Sequence, residues 1–246
     1  MEKFSFRDRY EGREVMDNFE LGGEKLEETL NDLDRVNSWL GGDRVTLGGV
    51  KEIIDRTSRK ETISIADIGC GNGHMLRELS KWGKRERIKL ELTGIDANPN
   101  AVSIAKRLSG DYKDISYRVL NIFSPDLREM QFDVILCTLT LHHFKDEQIP
   151  EVLRNFLDIS RIGVVVNDLQ RSKTAYWLFT LFCAAFVSNP IAREDGLISI
   201  RRGFKRSDLQ KYSADISVAP VEISWRWAFR YRWILRKNEF KISKRI

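Results

Sequence analysis

With 246 residues, 42% of them hydrophobic and 31% charged, the chain has the make-up of a soluble globular protein able to bury one sizeable core. Its three cysteines, Cys70, Cys137 and Cys183, are odd in number and far apart. This excludes a disulfide-stapled class, shows no metal spacing and predicts no metal and a reducing, cytoplasmic setting. The net charge of +5 is uneven: from Arg201 onward 13 Lys and Arg stand against 4 Asp and Glu, while the rest carries 28 against 32.

Such a basic end is either a docking face for an anionic partner or a solvated surface. The first ten residues hold no apolar segment and no cleavage signal. The longest apolar run, Thr174 to Val187, is too short to span a bilayer, so no transmembrane segment is expected.

In chain order, residues 1–20 are charged and aromatic without a clear period. Glu24 to Leu40 repeats leucine and valine at helical spacing (Leu26, Leu30, Leu33, Val36, Leu40), and glycine pairs flank it. A second helix is predicted over Thr46 to Thr57. Both precede the first strand, as a lid over a ligand site or as plain packing against the sheet.

Ile63 to Leu76 organises the rest. The apolar run Ile63, Ile65, Ile68 reads as a buried strand, Gly69, Gly71 and Gly73 as a turn, and Met75, Leu76 and Leu79 as a helix face. Strand, glycine turn and helix begin a nucleotide-binding βαβ unit. The third glycine comes one residue too early for a dinucleotide fingerprint, and His74 takes its place. Asp67, at the strand end, would repel a pyrophosphate and suits a ligand bearing an ammonium group.

A second strand, Ile88 to Ile95, ends at Asp96. That residue lies where a ribose-binding acid is expected, or where a helix cap would stand. Pro99 then opens a helix. Ile115 to Leu120 reads as a third strand, followed by Asn121, Ile122 and Phe123. Phe132 to Cys137 reads as a fourth, followed by Thr138, Leu139 and the pair His142 and His143. Either imidazole serves as a general base or as a structural hydrogen-bonding group. A helix over Asp146 to Ser160 and a fifth strand over Ile162 to Val166 follow.

The apolar helix Thr174 to Val187, with Trp177, is predicted to line an acceptor pocket or to pack in a core or dimer interface. Arg193 to Phe204 reads as a polar loop in which Arg193, Asp195, Arg201 and Arg202 orient a polar acceptor group. Ser207 and Gln210 read as a capping box. Near the end, Trp225, Trp227, Phe229, Tyr231 and Trp233 alternate with Arg226, Arg230 and Arg232. Period two predicts a hairpin with aromatics inward and arginines solvated or near anionic lipid.

Three stretches resemble the class I S-adenosylmethionine-dependent methyltransferases. The D-x-G-x-G-x-G pattern over Asp67 to Gly73 resembles their motif I. G-I-D-A-N-P-N-A-V resembles the motif II region, and F-D-V-I-L-C-T-L-T-L-H-H-F resembles motif IV. The resemblance implies a Rossmann-like α/β fold, with a seven-stranded, mostly parallel sheet, helices on both faces and one C-terminal antiparallel hairpin. It implies one domain made of an N-terminal cap (1–60), a cofactor core (61–170), an acceptor-side insertion (171–210) and the hairpin (211–246).

The implied cofactor is S-adenosylmethionine. Asp67, Gly69, Cys70, Gly71 and Gly73 would hold its amino-acid end, and Asp96 and Ala97 its ribose. Asn121, Ile122 and Phe123 would hold the adenine, and Cys137, Thr138 and Leu139 would pass beneath the methionine chain. Asn121 stands where the family usually has an acid.

Asn167 to Phe204 resembles a bacterial subgroup of small-molecule methyltransferases of polyketide or phenolic-lipid metabolism. This implies a small, hydrophobic or phenolic acceptor. The alternatives are an RNA or protein methyltransferase docking through the basic end, although no N-P-P-Y-type signature is found, and a non-catalytic cofactor-binding partner module. A monomer, a homodimer and peripheral membrane contact all remain open.

Overall fold

The computed structural model describes residues 5–55, 61–217 and 220–237. Two helices come first, α1 (Gly23–Trp39) and α2 (Gly42–Asp55). The alternating part follows: β1 (Thr62–Ile68), α3 (His74–Glu86), β2 (Lys89–Asp96), α4 (Pro99–Leu108), β3 (Ile115–Val119), the short α5 (Pro125–Arg128), β4 (Phe132–Thr138), α6 (Ile149–Ile159) and β5 (Ser160–Leu169). Then come α7 (Lys173–Phe186), α8 (Pro190–Arg202), α9 (Arg206–Asp215), β6 (Val221–Arg226) and β7 (Arg230–Arg236). The expected end of the second helix at Thr57 lies outside the described residues, as do the basic residues Lys241, Lys244 and Arg245.

The seven strands run in the order β3-β2-β1-β4-β5-β7-β6. Strands β1 to β5 pair in parallel, and β7 is antiparallel to both neighbours. The order reverses between β1 and β4, so the crevice beyond their carboxyl ends is where a ligand sits in such a sheet.

Period two in the strands assigns the two faces. Ile63 and Ile65 join Val50 and Ile53 of α2 and Leu76 and Leu79 of α3 in one core layer. Ala66 and Ile68 join Val152, Leu153 and Phe156 of α6 and Leu209 and Tyr212 of α9 in the other.

Five expectations are corrected. Residues 193–204, read as a loop, lie mostly in α8. Asn189 Oδ1 accepts from the N–H groups of Ile191 and Ala192 at 2.9 and 3.3 Å, and Pro190 follows it. That cap and first-turn proline outweigh the helix-weakening Gly196. Gly196 is used for close approach: a Cβ there would meet the Phe179 ring of α7 at 2.5 Å.

The cap of α9 is Lys205 with Asp208, whose Oδ2 accepts from Lys205 N at 2.8 Å, in place of Ser207 and Gln210. Helix α6 starts at Ile149, because Pro150 belongs in the first turn.

The terminal arginines are not a solvated row. Arg230 and Arg232 are buried beneath α2, where Arg232 pairs with Glu52. Tyr231 and Trp233 face the other layer as expected, but Trp225 and Trp227 at the hairpin tip are exposed. Last, α7 is not enclosed: of its 14 residues only Ala175 and Cys183 are buried.

Candidate active site

The glycine turn is shaped by backbone chemistry. Gly69, Gly71 and Gly73 have φ of 75°, 53° and 78°, a region a Cβ penalises. Gly69 N donates to Ile95 O at 2.8 Å, tying the turn to the end of β2. Cys70 is buried beside this turn, its thiol pushed well above the usual range by burial.

Two carboxylates meet here. Asp67 is buried, and its Oδ1 has no hydrogen-bond partner among the described residues. Burial, then the charges of Asp96 and Asp34, push Asp67 up to about 8. An unpaired buried oxygen of this kind is what an ammonium group would satisfy. Asp96 Oδ2 accepts from Gly71 N and Oδ1 from Asn98 N, each at 2.9 Å. Burial raises its pKa against those two bonds. So Asp96 acts within the turn, while the α4 cap is Asn98, whose Oδ1 accepts from Asn100 and Ala101.

The N-terminal helices roof this turn. Leu30 of α1 lies 3.3 Å from where a Gly71 Cβ would stand. Asn72 Nδ2 donates to Asn31 Oδ1 at 3.1 Å. His74, the residue that breaks the dinucleotide pattern, reaches Asp43 Oδ2 of α2 at 3.0 Å. Burial opposes the His74 charge, but Asp43 and Asp34 outweigh it and raise its pKa. Of the two alternatives for the N-terminal helices, covering the turn is realised by α1 and packing on the sheet by α2.

After β4, Leu139 takes φ 52° and donates its N–H to Asn167 O at 2.9 Å. Thr138 Oγ1 meets Thr46 Oγ1 at 3.1 Å, and Cys137 is fully buried in the strand. The chain then closes a 3-10 turn, Leu141–His143. His142 is buried, with Nδ1 2.7 Å from Asp168 Oδ1 and Nε2 3.5 Å from Glu14 Oε1. Burial opposes its charge, but Asp168 and Glu14 prevail and raise it to about 9. His143 is half-buried; its Nδ1 lies 2.6 Å from Asp17 Oδ1 and its Nε2 3.9 Å from Glu14 Oε2.

Glu14 and Asp17 come from an N-terminal strap absent from the sequence expectations. A 3-10 turn, Val15–Asp17, is held down because Asp195 Oδ1 and Oδ2 accept from the N–H groups of Val15 and Met16 at 2.8 and 3.0 Å. Arg202 Nη1 reaches Asp17 Oδ2 at 2.7 Å, and Arg9 donates to His142 O at 2.8 Å. Burial raises both strap carboxyls, but His142 holds Glu14 low, and His143 and Arg202 hold Asp17 low.

Glu14, His142 and His143 each offer a ligand atom within 4.8 Å of the others, the one such group among the described residues. Two cations, Arg202 and protonated His142, already face these carboxylates, which favours proton handling over metal binding. No signal in the sequence points to Glu14 and Asp17, because their partners lie far along the chain.

The expected acceptor residues are placed elsewhere. Arg193 donates to the carbonyls of Val187 and Cys183, capping α7. Asp195 anchors the strap, and Arg201 lies 3.5 Å over the Tyr10 ring. Trp177 is on the outer surface of α7. Near the adenine position, Asn121 Oδ1 accepts from Phe123 N at 2.9 Å, making a turn; Ile122 is buried and Ala97 half-buried.

Comparison with known proteins places the fold among methyltransferases. The family described as a methyltransferase domain matches residues 65–163. A ubiquinone biosynthesis O-methyltransferase of Nitrosospira multiformis is 24% identical over 174 residues, covering 69% of this chain and 68% of that protein. A protein-lysine N-methyltransferase of Saccharomyces cerevisiae is 34% identical over 84 residues, covering 33% and 35%. In fold, the chain is similar to the plantazolicin methyltransferase BpumL, solved in complex with SAH, with TM-score 0.61, 18% identity, and 87% and 98% of the chains covered. The matched domain, the sheet order and the D-x-G-x-G-x-G turn together make this chain similar, over residues 65–163, to the class I S-adenosylmethionine-dependent methyltransferases, whose fold it has and whose cofactor is S-adenosylmethionine.

Proposed function

We propose that this enzyme methylates a hydroxyl group of a small, hydrophobic or phenolic acceptor. The observation that carries the reading is the His143–Asp17 pair at 2.6 Å beyond the end of β4. With Nδ1–H donating to Asp17, the lone pair is on Nε2, and the ring is fixed in the tautomer a general base needs. Glu14 and Arg202 complete a polar pocket wall around it.

The small size follows from the roof. Helix α1 lies over the glycine turn and the strap over the histidine pair at the carboxyl end of the sheet, which favours a small acceptor. The hydrophobic character is supported by the half-buried ring of Phe144, next to His143. The O-methyltransferase relative supports oxygen as the acceptor atom. Burial of Arg230 and Arg232 takes two of the thirteen basic residues from Arg201 onward out of the face that RNA docking would use.

When bound, the cofactor supplies a methyl group already activated on a sulfonium. The protein therefore has to align, exclude water and handle one proton. Asp67 and the Gly69–Gly73 turn would hold the amino-acid end and Asp96 the ribose. Ile122 and Phe123 would wall the base. His143 Nε2 takes the proton of the acceptor hydroxyl while Asp17 stabilises the resulting imidazolium. His142, kept cationic between Asp168 and Glu14, positions Glu14 instead of exchanging protons.

Labelled S-adenosylmethionine, offered with a panel of alkylphenols and hydroxybenzoates, lysine-bearing peptides and tRNA, tests this reading. Transfer to phenolic oxygens is expected. Transfer to peptide or tRNA alone would overturn it.

A further inference from the structure

The surface of α7 does not fit a protein that ends at its own solvent boundary. Trp177, Leu181 and Phe186 are exposed by 60%, 68% and 63% on this helix. Two further elements prolong the apolar surface. At the C-terminal end of α7, Trp39 of α1 stands edge to face against Phe182 and Phe186 at 6.2 and 6.3 Å. At the N-terminal end, Phe229 of the β6–β7 turn packs in the same cluster as Ala175 and Tyr176. Trp227, exposed by 65%, lies tilted against Phe229 with ring centroids 5.9 Å apart, and Trp225 stands edge to face against it at 6.2 Å.

Trp177, Leu178 and Leu181 share one exposed face of this 14-residue helix, about 20 Å long, with Phe186 and Trp39 around its C-terminal end and Trp227 near its N-terminal end. Exposed large apolar side chains grouped in this way mark an interaction site.

Charge selects the occupant. The sequence from Arg171 to Val187 contains no Asp or Glu, nor does that from Ile223 to Arg236. Lys173 is exposed at the start of α7, one helical turn before Trp177 and on its face. Tryptophan on an apolar face beside an exposed lysine, with no carboxylate in either segment, is the pattern of a surface that settles into the headgroup region of an anionic bilayer. No described helix is long and apolar enough to cross a membrane, so the contact is interfacial.

We propose that α7 and the β6–β7 tip together form a docking face for an anionic lipid surface. The face adjoins the candidate active site: α7 begins five residues after Asp168, the partner of His142. This inference rests on the surface and not on the identity of the acceptor, so a failed acceptor screen leaves it standing.

The test uses the full chain with vesicles of phosphatidylcholine alone and of phosphatidylcholine with phosphatidylglycerol. Co-sedimentation with the anionic vesicles is expected, weakened by salt. The double variant Trp177→Ser, Leu181→Ser should lose at least tenfold in apparent affinity while keeping its circular dichroism and S-adenosylhomocysteine binding. Brominated lipid should quench the tryptophan fluorescence of the wild type, and much less that of the double variant.

Absence of binding to anionic vesicles overturns the proposal, as does binding that the double variant retains. A dimer in light scattering that the double variant dissolves, with no vesicle binding, assigns the face to a second copy and overturns it too.

Discussion

Asp17 Oδ1 and His143 Nδ1 lie 2.6 Å apart although 126 residues separate them. The strap brings the carboxylate to the imidazole, and α8 keeps the strap in place. If this pair handles the acceptor proton, His143→Ala and Asp17→Asn each lower kcat about 100-fold or more. S-adenosylhomocysteine affinity stays within about twofold, since neither residue touches the glycine turn. Steady-state rates and calorimetry check both. An unchanged pH–rate profile in His143→Ala would reject His143 as the base.

Asp195 offers a separable test of the strap. It satisfies two backbone donors, Val15 N and Met16 N, with its two oxygens. Asp195→Ala leaves both without that partner, at a cost of about 1–3 kcal/mol each if they stay buried. The expected outcome is a lower Tm and a kcat reduced about tenfold, with cofactor binding retained. Equal loss of cofactor affinity and kcat would mean that the strap supports the whole site, not the histidine pair.

Cofactor binding should be coupled to a proton. With a folded-state pKa of about 8, Asp67 holds its proton at pH 7. A ligand ammonium favours the carboxylate, so binding between pH 6 and 7.5 releases that proton, and affinity rises with pH by up to about tenfold per unit. Calorimetry of S-adenosylhomocysteine in phosphate and in Tris should give different apparent enthalpies. Asp67→Asn should remove the difference; a difference that persists in that variant assigns the proton elsewhere.

His142 makes stability depend on pH with a definite sign. Its pKa is raised from 6.5 to about 9, so the folded state binds the proton more tightly than the unfolded chain. The stabilisation is complete below about pH 6.5 and is lost as pH rises through about 9. In His142→Gln the fall of Tm between pH 7 and 9 should be shallower than in the wild type. A slope equal to that of the wild type would show that the pair with Asp168 is not what titrates.

Gly73→Ala should be costly for two reasons. The residue has φ 78°, and an added Cβ would stand 2.0 Å from Tyr117 Oη. Strain and overpacking together suggest roughly 2–4 kcal/mol. Urea unfolding measures it; a loss below about 1 kcal/mol would mean that the turn relaxes readily.

The element types along residues 63–170 were legible because local pattern and burial agree there. Ile63, Ile65 and Ile68 sit on a doubly covered strand, so an apolar run sufficed to find it. Gly69, Gly71 and Gly73 were legible because all three adopt the conformation for which glycine is used. Residues 193–204 were misread because charge and Gly196 suggested a loop, while the determining contacts are the Asn189 cap and the Phe179 ring. Arg230 and Arg232 were misplaced because alternation tells which residues share a face, not which face is covered; helix α2 covers theirs.

The sequence by itself determined the order of the first five strands, the glycine turn and the acid at the end of each of the first two strands, because these depend on neighbours a few residues away. Only the tertiary structure decided that Glu14 and Asp17 meet His142 and His143, that Asp195 serves the strap, and that α7 turns its tryptophan outward. Those outcomes are set by contacts between residues tens to hundreds of positions apart, which no local period encodes.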